Sequence, residues 1–120
     1  MMNKILFVDD ERMNLMLFSL NYKNRFNVLT ADGAEMAMQL LRQHPDVEVV
    51  VTDMKMPDVN GLELATMIRA EFPDMRVFLL TGFELLPEIE QAIKDGLICN
   101  YINKPLNFKQ LESIIGLGEQ

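Results

Sequence analysis

Carboxylates follow two of the apolar runs in this sequence, at positions where a rigid element would hold them. Asp9 and Asp10 directly follow KILFV (4–8), and Asp53 directly follows EVVVT (48–52). Runs rich in valine and isoleucine favour buried β-strands, and aspartate is a poor strand former. An acid in such a place either caps the next turn or presents a reactive group on a rigid support.

Two more polar residues stand at the ends of later apolar runs. Thr81 closes RVFLLT (76–81), and Lys104 follows CNYIN (99–103). If all these ends meet, three carboxylates lie within a few ångströms and repel one another. A hard divalent cation relieves that repulsion, and Mg²⁺ prefers carboxylate and carbonyl oxygens together with water.

Asp53 is the best candidate for a nucleophile, because it follows the most apolar run. A carboxylate can attack phosphorus to give an aspartyl phosphate. The metal would then bridge Asp53 and the transferring group, Lys104 would add a second positive charge, and the Thr81 hydroxyl would donate to a phosphoryl oxygen. Each residue alone has an ordinary explanation as a cap, a turn or an exposed side chain. Their coincidence at one edge favours a functional site.

These residues meet only if the apolar runs form one sheet. We predict strands at 4–8, 26–31, 48–52, 76–81 and 99–103, and helices at 11–22, from an Asp32 cap through Leu41, at 61–71, from Pro87 to Gly96, and at 108–115. Five strand–helix alternations are typical of an α/β protein with a doubly wound, five-stranded parallel sheet and helices on both faces. Ligands of such sheets bind at the carboxyl ends of the strands.

Composition narrows the class of protein. The chain has 120 residues, 49% of them hydrophobic and 24% charged, which suits one globular domain. No apolar run approaches the roughly 20 residues of a membrane span, and the N-terminus lacks a signal-peptide layout, so we expect a cytoplasmic protein with no membrane partner. The net charge of −7 argues against a nucleic-acid surface. The single Cys99 is predicted to be a small buried hydrophobe.

Four segments also resemble the receiver domain of bacterial two-component response regulators, the CheY-like family. The resemblance runs from about Lys4 to Leu111 and rests on LFVDDE (6–11), VVTDMKMPDVNG (50–61), FLLTG (78–82) and YINKP (101–105). Together, in this order and at these spacings, the segments are highly specific. The resemblance implies a flavodoxin-like (βα)5 fold with strand order 2-1-3-4-5.

The resemblance also implies roles for the acids. Asp53 would be the phosphoacceptor. Asp9 and Asp10 would hold Mg²⁺ (or Mn²⁺), Asp10 more directly, and the backbone carbonyl of Lys55 would be a third protein ligand.

Further roles follow for the switching residues. Thr81 and Lys104 would bind the phosphoryl group, and Tyr101 would turn inward as Thr81 moves towards that group. The bond between Lys104 and Pro105 would be cis, a conformation that is uncommon even before proline.

By this resemblance the protein is a signalling switch and not a turnover enzyme. A sensor histidine kinase or phosphotransfer protein would donate the phosphoryl group, docking around the first helix. The face of helix 4, strand 5 and helix 5 would then control an output domain or a downstream protein, and a phosphorylation-dependent dimer is a further expectation. Residues 1–120 would form a single receiver domain, with 116–120 as a tail. Such a chain is either a stand-alone regulator or a piece cut from a larger one.

Two features depart from the family pattern. The interval from Gly96 to Lys104 is one residue longer than usual, so a shift or bulge is expected between helix 4 and strand 5. Lys55 and Phe83 occupy the variable positions two residues beyond Asp53 and Thr81, where side chains are expected to tune hydrolysis; a pairing of Lys55 with an acid such as Glu84 is an alternative.

Two other functions remain as alternatives. A phosphatase of the haloacid-dehalogenase type needs an acid two residues after its nucleophilic Asp, and Lys55 stands there. A phosphorylation-independent docking module would be expected to have lost an acid, the Thr or the Lys of the site, and all are present.

Overall fold

The chain folds into five strands and five helices in strict alternation, as a computed structural model shows for residues 4–82 and 86–115, the side chains of Phe108, Ile114 and Ile115 excepted. The strands are β1 (Lys4–Val8), β2 (Asn27–Ala31), β3 (Val49–Asp53), β4 (Arg76–Thr81) and β5 (Asn100–Asn103). The helices are α1 (Arg12–Tyr22), α2 (Ala34–Gln43), α3 (Gly61–Glu71), α4 (Pro87–Lys94) and α5 (Phe108–Ile115).

The strands form one parallel sheet in the order β2-β1-β3-β4-β5. This confirms the predicted α/β class and the predicted strand order. β3 is the central strand, and all five of its residues are buried, because helices cover both faces of the sheet. Asp53 is the last residue of β3 itself, so the strand ends one residue later than the predicted strand EVVVT (48–52).

Alternate side chains of each strand pack into two separate hydrophobic cores, one on each face of the sheet. On one face, Val50 of β3 packs in a cluster with side chains of α2, α3 and α4. On the other, Val49 and Val51 pack with side chains of α1 and α5, including Phe18 and Leu111. The valine run is therefore continuous in sequence because both of its faces are buried.

Two local predictions were wrong. Asp32 does not cap α2: the N-cap residue is Gly33, in an extended conformation, and no side chain accepts a capping hydrogen bond there. Cys99 is exposed, and its neighbour Ile98 is the residue that enters the core. A one-residue change of register in a short irregular segment is enough to exchange which neighbour is buried.

A tight turn joins α4 to β5. Helix α4 ends at Lys94, and Gly96 adopts a φ of 76°, a left-handed conformation that suits glycine just after a helix. The N–H of Leu97 then donates to the carbonyl of Ala92 at 2.9 Å. Arg69 of α3 donates to the Gly96 carbonyl at 2.8 Å and ties this turn to the neighbouring helix.

β5 itself is regular. Its four residues pair with β4 without interruption, from Phe78 opposite Asn100 to Thr81 opposite Asn103. The strand that carries Tyr101 is therefore not bulged.

Gly61, the first residue of α3, lies against the backbone that supports Asp53. Its N–H donates to the carbonyl of Met54 at 2.9 Å. A Cβ at this position would lie 2.6 Å from the Asp53 carbonyl oxygen and 2.5 Å from Leu79 Cδ1. Only glycine lets α3 begin this close to the end of β3.

We therefore expect Gly61→Ala to lower the free energy of unfolding by about 1–3 kcal/mol, because the methyl group forces backbone apart. Gly33→Ala is the matched control, since nothing lies within 4 Å of a Cβ there. Its cost should stay below about 1 kcal/mol, that of a weaker helix cap. Urea unfolding measures both, and equal losses in the two variants would contradict the close contact at Gly61.

Candidate functional site

Five of the predicted site residues lie at the carboxyl edge of the sheet. Asp53 and Thr81 end β3 and β4, Asp9 and Asp10 follow β1, and Lys104 follows β5. Parallel strands bring these ends to one side, as the strand–helix alternation predicted.

Backbone hydrogen bonds fix the two residues that lie beyond their strands. The N–H of Asp9 donates to the carbonyl of Ala31 at 3.1 Å, which extends the pairing of β1 with β2. The N–H of Lys104 donates to the carbonyl of Thr81 at 2.8 Å, which ties the loop after β5 to the end of β4. The site is thus held by the sheet and not by long loops.

Three carboxylates form an acid cluster, defined here as Asp9, Asp10 and Asp53. One oxygen of each lies within 4.8 Å of the others. Asp9 and Asp53 are only 1% and 4% exposed, whereas Asp10 is exposed to solvent. A donor set made of carboxylate oxygens, open on one side, fits a hard cation such as Mg²⁺ better than a soft metal.

Asp9 is anchored at both of its oxygens. Its Oδ1 accepts from the Glu11 N–H at 2.9 Å, and its Oδ2 accepts from the side-chain amide of Asn14 at 3.0 Å. Burial raises the pKa of Asp9 above its ordinary value of 3.8, and the negative Asp53 raises it further, while the two hydrogen bonds and Lys104 work in the opposite direction. Desolvation is the largest of these effects.

Lys104 forms an ion pair with the central acid. Its Nζ lies 3.0 Å from Asp53 Oδ1. The Asp53 side chain is 6% exposed and that of Lys104 is 37% exposed, so a half-solvated ammonium reaches down to a buried carboxylate. This pair offsets part of the negative charge that the acid cluster concentrates.

Two further predicted residues, Thr81 and Lys55, lie beside Asp10. Thr81 is 2% exposed. Together with Asp10 and the exposed Lys55 it lines an open cleft of about 490 Å³ beside α4. The predicted contributions of Phe83, and of Glu84 as a partner for Lys55, fall outside the described residues.

Tyr101 stands in β5 directly opposite Leu79 of β4. Its side chain is half-buried and packs against the core that α2, α3 and α4 cover. The Lys104–Pro105 peptide bond, three residues later, is cis.

Sequence reasoning missed Asn14. It is the third residue of α1 and the donor to Asp9 Oδ2, with a second contact of 3.3 Å to Glu11 Oε1. The available signal was its spacing of five residues from Asp9, which places it in the first helical turn above the strand end.

Comparisons with known proteins agree on one family. The family model described as "Response regulator receiver domain" matches residues 5–116. A chemotaxis protein CheY homolog from Campylobacter jejuni is 35% identical over 123 residues, covering 96% of this chain and 94% of that protein.

Solved structures give the same result. A response regulator receiver domain protein from Clostridium thermocellum superposes with a TM-score of 0.87 at 32% identity, covering 96% of this chain and 92% of that one. The response regulator protein TrrA from Thermotoga maritima, in complex with Mg(2+)-BeF, superposes with a TM-score of 0.80 at 27% identity, covering 96% and 97%.

The raised pKa of Asp9 predicts how its removal changes stability with pH. Folded protein binds a proton at Asp9 at a higher pH than the unfolded chain does, so Asp9 contributes stability as pH falls through its raised pKa towards 3.8. Asp9→Asn lacks this gain. The free energy of unfolding of the variant minus that of the wild type should therefore decrease on acidification.

Urea unfolding in EDTA at several pH values between neutrality and 4.5 measures this difference. Asp58→Asn, which removes an exposed acid from the loop after β3, is the control for losing one carboxylate. A difference for Asp9→Asn that is flat or grows as pH falls would show that burial does not disfavour the ionised acid.

Proposed function

This chain belongs to the response regulator receiver domain family, and from that premise we propose that it is a phosphorylation-activated switch of a two-component phosphorelay with Asp53 as phosphoacceptor. One observation carries the proposal: a buried carboxylate at the end of the central strand lies beside two further acids and 3.0 Å from the Lys104 ammonium. The chain's family is one of signalling domains, and we propose no turnover activity beyond its own phosphorylation and dephosphorylation.

The proposed transfer is a displacement at phosphorus. A carboxylate oxygen of Asp53 forms the new O–P bond, the P–N bond of a partner's phosphohistidine breaks, and its electron pair returns to the imidazole nitrogen. Asp53 suits this role because β3 is buried along its whole length, which fixes the direction of attack.

Lys104 and Thr81 would receive the transferred group. The Lys104 ammonium already contacts Asp53, so it is placed to stabilise negative charge on a phosphoryl oxygen. The Thr81 hydroxyl can donate a hydrogen bond to another oxygen. Movement of Thr81 would then admit Tyr101 to the space it leaves, and change the face formed by α4, β5 and α5.

Asp9, Asp10, Asp53 and the Lys55 backbone carbonyl would hold Mg²⁺, or Mn²⁺ in its place. A cation bound there would neutralise charge on the phosphoryl oxygens. Two details of the site oppose the alternatives. Lys55 takes the place of the second acid that an aspartate-nucleophile phosphatase needs, and a docking module would have no need for a complete acid cluster facing a lysine.

Helix α1 has an exposed apolar stripe on which a partner's helix could dock. Met13, Met16, Leu17 and Leu20 are 64, 53, 48 and 58% exposed, and their spacing places them on one stripe of the helix. Leu17 also lines a cleft of about 480 Å³ that reaches Asp9 and Lys104. We propose that a sensor histidine kinase or phosphotransfer protein docks a helix here.

The face of α4, β5 and α5 would act on an output domain or a downstream protein, with phosphorylation-dependent dimerisation as one form of output. Residues 1–120 would act as a single receiver domain in the cytoplasm, without contacting nucleic acid or membrane. In the part of the chain that the structure describes, no helix is long and apolar enough to cross a membrane.

Phosphorylation has a direct test. Acetyl phosphate with Mg²⁺ should add one phosphoryl group to the wild type, and Asp53→Asn should add none, as measured by intact-mass spectrometry. Asp58→Asn, five residues away and exposed, should be phosphorylated like the wild type. Unmodified wild type, or a modified Asp53→Asn protein, would overturn the assignment of Asp53.

Switching can be read from the two tyrosines of the chain. Beryllofluoride with Mg²⁺, the complex held by the related TrrA structure, should shift the ¹⁹F signal of fluorotyrosine at Tyr101 and leave that at Tyr22 nearly unchanged. Tyr22 is buried among Phe18 and Phe26 on the α1 face and serves as the internal reference.

Thr81→Ala should weaken the response of Tyr101, because the hydroxyl that links the phosphoryl group to β4 is lost. Thr66→Ala, on the exposed side of α3, is its control. A full Tyr101 response without the Thr81 hydroxyl would remove Thr81 from the switch.

A further inference from the structure

The side chain of Asn14 has a defined orientation. Its Nδ2 lies 3.0 Å from Asp9 Oδ2 and 3.3 Å from Glu11 Oε1. Both neighbours are carboxylates, which accept hydrogen bonds and do not donate them when ionised. The amide nitrogen, and not its oxygen, must therefore face Asp9.

Asn14 and Glu11 together fix the plane of the Asp9 carboxylate. The terminal torsion of an aspartate is broad, so a single hydrogen bond leaves the carboxylate free to rotate. Here Oδ1 is held by the Glu11 N–H at 2.9 Å and Oδ2 by Asn14, and both donors belong to the first turn of α1 or its cap. Each carboxylate oxygen has a second lone pair, so these bonds leave capacity for a cation or its water.

The orientation of the Asp9 carboxylate matters because two other carboxylates lie close to it. Asp9 is 1% exposed and within 4.8 Å of two other carboxylates, which favour rotating its charge away from the cluster. A cation needs the opposite, with the acid oxygens directed to a common point. A donor from α1 that holds Oδ2 opposes the repulsion before any cation arrives.

We propose that Asn14 is a positioning residue for the magnesium site: its amide holds the Asp9 carboxylate in the orientation in which the acid cluster binds a divalent cation. Asn14 acts through Asp9 and does not itself touch the cation or the phosphoryl group. The inference rests on the proposed function in taking the acid cluster as a Mg²⁺ site.

Asn14→Ala removes the donor, and the chain offers a matched control. Asn21 lies seven residues further along α1, lines the same 480 Å³ cleft and is exposed, so Asn21→Ala removes the same side chain from the same helix away from Asp9. Removing a hydrogen bond to a metal-ligating side chain typically weakens metal affinity 10–100-fold. Since the Glu11 N–H still holds Oδ1 of Asp9, we expect the Kd for Mg²⁺ to be about tenfold larger in Asn14→Ala than in the wild type.

Isothermal titration with MgCl₂ alone measures the Kd of wild type and both variants, and thermal unfolding in EDTA measures their folding. A role in the stability of α1 alone would lower the unfolding temperature without changing the Kd. The rate of phosphorylation by acetyl phosphate gives a second readout. In Asn14→Ala the Mg²⁺ concentration for half-maximal rate should rise about tenfold, and the rate at saturating Mg²⁺ should stay near that of the wild type.

The outcomes separate the two claims. Weaker Mg²⁺ binding in Asn14→Ala with unchanged binding in Asn21→Ala supports the positioning role. Unchanged binding in Asn14→Ala overturns it, as does tighter binding, which would mean that Asn14 competes with the cation. If the wild type itself binds no Mg²⁺, the metal site fails and this inference fails with it. Should Asn14→Ala not fold, Asn14→Leu, which keeps the number and branching of the side-chain heavy atoms and lacks the donor, takes its place.

Discussion

Three carboxylates are held together at the end of a buried sheet, and the surrounding structure has to tolerate their repulsion. Asp9 and Asp53 are almost fully buried, and both lie within 4.8 Å of Asp10. Two like charges 4 Å apart cost about 4 kcal/mol at an effective dielectric of about 20. The Lys104 ammonium and the donors around Asp9 offset part of that cost. The negative charge that remains would favour a cation bound at this site.

The acids cannot reduce this repulsion by moving apart, because each is tied to a rigid element. All five residues of β3 are buried, so the strand cannot shift Asp53 towards solvent without exposing apolar side chains. Gly61 brings α3 against the Asp53 carbonyl, and Asp9 is joined to β2 through its N–H and to the start of α1 through its side chain. An ionised carboxylate close to a helix N-terminus is favoured by the helix dipole. Asp9 thus joins the acid cluster to α1, the helix with the exposed apolar stripe.

Sequence patterns predicted the features that depend on periodicity. Alternating apolar runs and helical patterns were enough for the parallel sheet and for the edge where the polar residues meet, whereas the strand order came from the family resemblance. They were not enough for features set by single contacts. Capping by Gly33 rather than Asp32 and the exposure of Cys99 depend on where a short turn places one residue. The hydrogen bond from Asn14 joins a helix to a strand end, and the spacing of five residues from Asp9 does not by itself identify it as the donor.

The ion pair between Lys104 and Asp53 connects the resting site with the proposed switch. A phosphoryl group on Asp53 would bring up to two negative charges and several acceptor oxygens, which compete with the carboxylate for the ammonium. A switch can use only the difference in such contacts between two states, so the resting pair must be weak enough to yield. Lys104 meets this condition, because its side chain is 37% exposed and solvent screens the pair. The backbone N–H of Lys104 also donates to the Thr81 carbonyl, so in the proposed switch a shift of either residue would reach the strand that carries Tyr101.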